Sequence, residues 1–343
     1  MPTVSLDTFF ACSLMITVIV AAMAATAKIS QINIANYGNL NEKSDYFAEI
    51  AKKIVLNNGR PQNWGANPNL TLESLGLAES NSHPYALDID KVSRLNQQNA
   101  YSIPYSALWK ALGTNYAFKI RIGQLFSISV TKTGQIQHEN QTTYWFSVNV
   151  EKAGVPVTAA ICCYAIGRNY MDSTYVFAQN GEAELNFTIP NSSNGTILLI
   201  TFARASYNPK VLSYNVYSFY HLTDEIAANE TYVRLSPLNY TLYVEPFYQN
   251  VTLTDCFLFA YDYNNSLNEI QENVYDIPRL LNSGTMVLVV RGFKGSTFFM
   301  EWTAYPQIPL EVGANLEQSE NHVFDYIVSV EGFFYDLQVL FGD

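Results

Sequence analysis

Charge is scarce in this chain, and basic charge scarcest. Of its 343 residues 14% are charged, 19 Lys and Arg against 30 Asp and Glu, for a net charge of −11. That balance argues against nucleic acid and anionic lipid surfaces as partners. Cysteine is equally sparse: Cys12, Cys162, Cys163 and Cys256, with no C-x-x-C and no C-x-x-C-H, so zinc ribbons and covalent haem are unsupported. The four histidines, His83, His138, His221 and His322, stand in four separate segments and read as surface or turn residues. There is no G-x-S-x-G, no H-E-x-x-H and no phosphate-cradling glycine loop. Ser106 and Lys110 have the wrong spacing for S-x-x-K. Asp262, Asn264 and Ser266 have the first spacings of a calcium loop but lack its sixth-place Gly and twelfth-place Glu. These absences leave no enzyme class and imply no metal or cofactor.

Long apolar runs are also missing, with one exception. Thr8–Ala27 carries no charge over 20 residues and as a helix would span about 30 Å, a hydrocarbon core. It admits three readings: a cleaved secretory signal, a single-pass anchor, or a helix that leaves the bilayer to pack in a filament core. Asp7 instead of a basic n-region weakens the first, and the lack of Lys or Arg before the run weakens the second. The third takes Phe9, Phe10, Leu14, Ile16, Val18, Ile19, Ala21, Ala22, Ala24 and Ala25 as the assembly surface, the alanines allowing close helix approach. Apolar residues continue at three- and four-residue steps to Ile54, and Asn58-Gly59 followed by Pro61 closes a helix expected over Ser5–Asn57.

What is abundant is Asn, 32 residues, with 24 Tyr and 20 Phe. The aromatics suit β-sheets. Nine N-x-S/T sequons fall at Asn69, Asn140, Asn186, Asn191, Asn194, Asn229, Asn239, Asn250 and Asn264, roughly twice the number expected by chance, and mark candidate N-glycan sites on an exterior head. Cys162 and Cys163, adjacent in an apparent strand, point to opposite faces. Either could form a disulfide with Cys256, and buried free thiols are an equal reading.

Four segments follow: 1–58, the helix; 59–114, a mixed connector with short helices over Leu87–Leu95 and Ser106–Leu112; 115–225 and 226–343, two sets of period-two strands. Phe118/Ile120/Ile122 and Phe146/Val148/Val150 typify the first set; Val323–Val330 and Phe334–Phe341, joined at Glu331-Gly332, close the second. Asn180-Gly181 is a hairpin signal. The fold class is therefore α+β, a long N-terminal apolar α-helix followed by a β-rich head of two Ig-like β-sandwich domains. Two adjacent aromatic groups, Tyr144/Trp145 and Phe298/Phe299 with Trp302, could be core or contact surface; alternation sends one of each adjacent pair outward.

Taken in order, several pieces resemble a known family. VSLDTFFACSLMITVIVAAMAA, then IVLNNGRPQNWG (Ile54 to Gly65), LESLGLAES (Leu72 to Ser80), LDIDKVSRL (Leu87 to Leu95) and the closing VEGFFYDLQVLFGD look like archaeal type IV pilin-like surface proteins. The basic leader of that family is absent, and Ser5 stands where bacterial pilins carry Glu. The resemblance implies a non-enzymatic filament subunit for adhesion or cell–cell attachment, inserted in the cytoplasmic membrane before assembly. Its partners would be copies of itself and N-linked glycans. The alternative is a single-pass cell-surface protein whose β-sandwich domains bind a glycan or other ligand.

Overall fold

The computed structural model describes residues 43–222, 229–280, 284–316 and 322–342. Met1–Ala51 and Lys52–Asp343 form two compact units. In the first, the described residues are helical from 43 onward, with Phe47 and Ala51 buried. This helix, α1 (43–56), ends in the second unit, where Ile54 and Val55 are fully buried.

The connector is a knot of buried polar groups. After β1 (Ala86–Leu87), α2 (Ile89–Ser93) starts at Asp88, whose carboxylate accepts the Asp90 and Lys91 backbone N–H groups. Lys91 is fully buried; its ammonium donates to Asn58 O at 2.9 Å and Ala78 O at 2.7 Å. The Arg94 guanidinium donates to the carbonyls of Trp64, Asn67 and Tyr101, and lies 5.8 Å from the centre of the Trp64 ring. Trp64 Nε1 donates to Gly76 O. Gly76 must be glycine, since a Cβ would stand 2.3 Å from Asn57 O. α3 (Tyr105–Leu112) ends at Gly113 in the left-handed conformation, φ 70°.

β2 (Ala117–Gln124) leads into a first sandwich. One sheet holds β3 (Ser127–Gln137), β4 (Gln141–Lys152), the short β5 (Val155–Pro156) and β8 (Glu182–Pro190). The other runs β10 (Leu212–His221), β9 (Gly195–Ala205), β6 (Ala159–Ile166), β7 (Met171–Ala178). Asn180 and Gly181, φ 51° and 80°, turn the chain from one sheet to the other. Val130, Phe146, Val148, Leu185 and Phe187 meet Ile161, Ala165, Leu199, Ala203 and Phe219 in one apolar core.

The second set also forms two sheets: β11 (Val233–Leu238), β12 (Thr241–Pro246), β16 (Val274–Asp276), β15 (Asn268–Gln271), and β14 (Tyr263–Ser266), β13 (Val251–Ala260), β17 (Met286–Lys294), β18 (Thr297–Tyr305). They meet through Tyr232 on Phe299 and Tyr240 on Tyr305. Glu301, nearly inaccessible, accepts the backbone N–H groups of Thr231, Tyr232 and Val233. The outer face of the β6/β9 sheet is itself covered by the β13/β17 sheet: Tyr164 and Phe259 have ring centres 5.1 Å apart, and Tyr164 Oη donates to Ala260 O.

β19 (Leu310–Gly313), β20 (His322–Val330) and β21 (Phe333–Gly342) return to early residues, giving a five-stranded sheet in the order β1-β20-β21-β2-β19. β2, whose alternation marks it as a strand, therefore has partners about 190 residues or more away: Ile120 faces Val339 and Val312.

The expected fold class needs correction. The described chain is mostly strand, in several sheets compatible with sandwich packing, and its helices are short. Among the described residues no helix is long and apolar enough to cross a membrane, so the expected insertion in the cytoplasmic membrane, and the filament or cell-surface location built on it, are withdrawn. The assembly residues Phe9 to Ala25 lie outside the described residues. No disulfide joins Cys162 or Cys163 to Cys256: all three are free and buried. Cys163 points into the first sandwich core beside Thr201 Oγ1, and burial pushes its thiol up to about 12.

Candidate functional site

The wet face of the β3/β4/β8 sheet is the most organised exposed surface that the sequence singled out. Along β4 the burial alternates strictly: Thr142, Tyr144, Phe146, Val148 and Val150 point in, while Thr143, Trp145, Ser147 and Asn149 stand half-buried on the outside. Register completes the face in rows of three. Ile136, Thr143 and Thr188 form the first; Gly134, Trp145 and Asn186 the second; Thr131, Ser147 and Glu184 the third; Ser129, Asn149 and Glu182 the fourth. A bulge between Lys132 and Gly134 shifts β3 by one residue and sets Gly134 beside Trp145. A Cβ at Gly134 would lie 3.8 Å from the indole, an ordinary contact distance, and the Trp145 ring is half-buried beside it. Thr143 Oγ1 and Thr188 Oγ1 share a hydrogen bond of 2.9 Å, and Ile136 at 53% exposure extends the apolar surface.

Of the aromatics marked from sequence, Trp145 alone stands on this face. Tyr144 is buried, its Oη 2.9 Å from Nδ1 of His221, whose Nε2 meets Pro190 O. Phe299 is buried on Tyr232, and Phe298 packs on Phe293. Trp302 is half-buried near Tyr214, and its backbone is held on both sides by the Asn229 amide.

The histidines do not converge, and no group of three or more His, Cys, Asp or Glu side chains could hold a metal ion among the described residues. Asn264 and Ser266 lie in β14, paired to β13, and Asp262 forms an ion pair with Arg204 at 3.1 Å, so the calcium-like spacing is strand rather than loop. Asn69, Asn140, Asn186, Asn194, Asn229, Asn239, Asn250 and Asn264 are exposed; Asn191 is half-buried and donates to His138 O and Glu139 O. The Asn191 and Asn229 amides are thus engaged in structure, and exposure at the other sequons is no evidence of attached sugar; the expectation of a glycoprotein head is dropped.

Two surfaces escaped sequence reasoning. Tyr175 and Phe177, 58% and 51% exposed on the edge strand β7, share a sheet face with Arg204 of β9, which stacks 3.9 Å from the Tyr261 ring centre. A polar cleft of about 500 Å³ opens between Gln124, Glu151, Lys152, Asn215 and Asp336. Burial raises the Asp336 carboxyl above its ordinary range, Asp325 adds to that, and Lys152 opposes it. Both surfaces gather residues from distant strands, so no local spacing announces them.

No family model matches the chain, and no curated protein does. Among solved structures, HBP35 of Porphyromonas gingivalis is similar over 52% of this chain and 63% of its own, at 12% identity and a TM-score of 0.20. The match spans less than two thirds of that protein and is too weak to carry fold or function. The resemblance to archaeal pilin-like proteins is corrected: the described residues are strand-rich, and among them no helix is long and apolar enough to cross a membrane. The pieces behind that resemblance have another physical reason. Asn58, Trp64, Gly76, Ala78, Lys91 and Arg94 are spaced as they are because they close one buried hydrogen-bonded knot.

Proposed function

We propose that this chain is a non-catalytic carbohydrate-binding protein, with the outer face of β3, β4 and β8 as the binding platform. The observation that carries the reading is Trp145: a half-buried indole on the central strand of the sheet, beside a glycine and surrounded by Thr143, Ser147, Asn186 and Thr188. An aromatic plane accepts the apolar side of a sugar ring, while hydroxyl and amide groups around it exchange hydrogen bonds with sugar hydroxyls. The absence of catalytic motifs in the sequence fits binding without turnover.

The test is a glycan array followed by calorimetry on the full chain and on Trp145→Ala. Loss of at least tenfold in affinity, about 1.4 kcal/mol, with an unchanged circular dichroism spectrum is the expected result. Equal binding by both proteins, or no binding to any glycan, would sink the reading.

A further inference from the structure

Resting on that platform, we infer the class of glycan it takes: a neutral oligosaccharide lying along β4, with uronate- and sulfate-bearing chains excluded. The first argument is charge. Two carboxylates, Glu182 and Glu184, occupy outward positions of β8, while Glu151, at the end of β4, lines the same cleft as Lys152. Among the described residues β3, β4 and β8 present no outward Arg or Lys to oppose them. Lys132 sits opposite inward-facing Phe146 and turns to the other side, its Nζ on Gln135 Oε1 and 5.3 Å from the Tyr144 ring centre. Lys152 has the inward parity as well and lines the neighbouring cleft. An anionic sugar beside Trp145 would meet carboxylates and no cation, which is repulsion at short range without compensation.

The second argument is dimension. Outward residues Thr143 to Asn149 span three two-residue steps, about 20 Å at ~3.3 Å per residue, and three strands at ~4.8 Å spacing make the face about 10 Å wide. That is a strip, longer than it is broad, with the apolar pair Ile136 and Trp145 at one end and the acceptor-rich Asn149, Glu182 and Glu184 at the other. A single sugar would cover only the Trp145 end. A chain laid along β4 uses both, with carboxylates accepting hydrogen bonds from neutral hydroxyls.

The experiment compares, on the full chain, neutral hexose and N-acetylhexosamine oligosaccharides with uronate- and sulfate-bearing ones of equal length, by calorimetry at low and at physiological salt. Neutral chains should bind at least tenfold more tightly, the gap narrowing as salt rises. Longer neutral chains should bind more tightly than monosaccharides. In Glu182→Lys/Glu184→Lys the acidic chains should gain at low salt. Acidic chains binding the wild type as well as neutral ones, with Trp145→Ala still abolishing both, would overturn this inference and leave the platform standing. Absence of binding to either class, or binding indifferent to Trp145→Ala, would overturn the platform and the inference together.

Discussion

The two sheets of the first sandwich differ in how many of their faces are dry. The β3/β4/β8 sheet buries one face on the shared core and leaves the other to solvent, so it keeps Thr, Ser, Asn and Glu at every second position. The sheet centred on β6 and β9 is covered twice, by the first core and by the β13/β17 sheet, and accordingly runs Ala159–Ile166 and Thr196–Ala203 with almost no polar break. Strands covered on both faces, as β6 and β9 are, have no surface to offer and are sensitive throughout; a once-covered sheet has a spare face whose side chains are released from packing duty.

The comparison breaks most sharply at Phe202, fully buried on the second dry face of β9 near Tyr164 and Tyr214. Phe202→Ala should lower stability by about 4 kcal/mol in urea unfolding. A loss under about 1 kcal/mol would mean that face is not truly packed. Next comes Lys91→Met, which keeps the volume but leaves the Asn58 and Ala78 carbonyls without their donor; about 2 to 3 kcal/mol should be lost. An unchanged midpoint there would show that the connector knot is held by packing rather than by its hydrogen bonds.

A smaller effect is expected from pH. His221 is buried at the rim of the first core, and burial lowers its pKa below the ordinary 6.5, the bond to Pro190 O opposing in part. Because the folded value lies below the unfolded one, its contribution is complete above pH 6.5 and declines as pH falls through that value towards the folded pKa. The melting temperature should therefore drop between pH 7.5 and 5, and His221→Gln should show a shallower drop; parallel curves would exclude His221 as the cause. The smallest effect belongs to the wet face. Ser147→Ala should change stability by less than about 0.5 kcal/mol, and a larger cost would mean that face is covered.

How much of this was legible depends on the same distinction. Tyr144/Trp145 could be split into an inward and an outward member because β4 alternates, and the turns at Asn180-Gly181 and Glu331-Gly332 take positive φ, which their glycines adopt without strain. The site itself was only half visible: Trp145 was marked, but Gly134 and Asn186 join it through register across three strands, and the bulge after Lys132 has no clear local signature. The connector pieces misled because residues that must close one buried knot keep fixed spacings, and fixed spacings look like a family pattern.

Sequence alone determined the strand content, the tight turns, the shortage of basic charge and the lack of catalytic motifs. Each follows from local periodicity, backbone conformational preference or composition. Tertiary structure alone decided that β2 closes a sheet with the C-terminal hairpin, that β6 and β9 are buried on both faces, that the three described cysteines stay free, and that Trp145 lies beside a glycine from the neighbouring strand. Those are facts of long-range pairing. A strand's alternation says which side chains face together but not which distant strand will lie beside it.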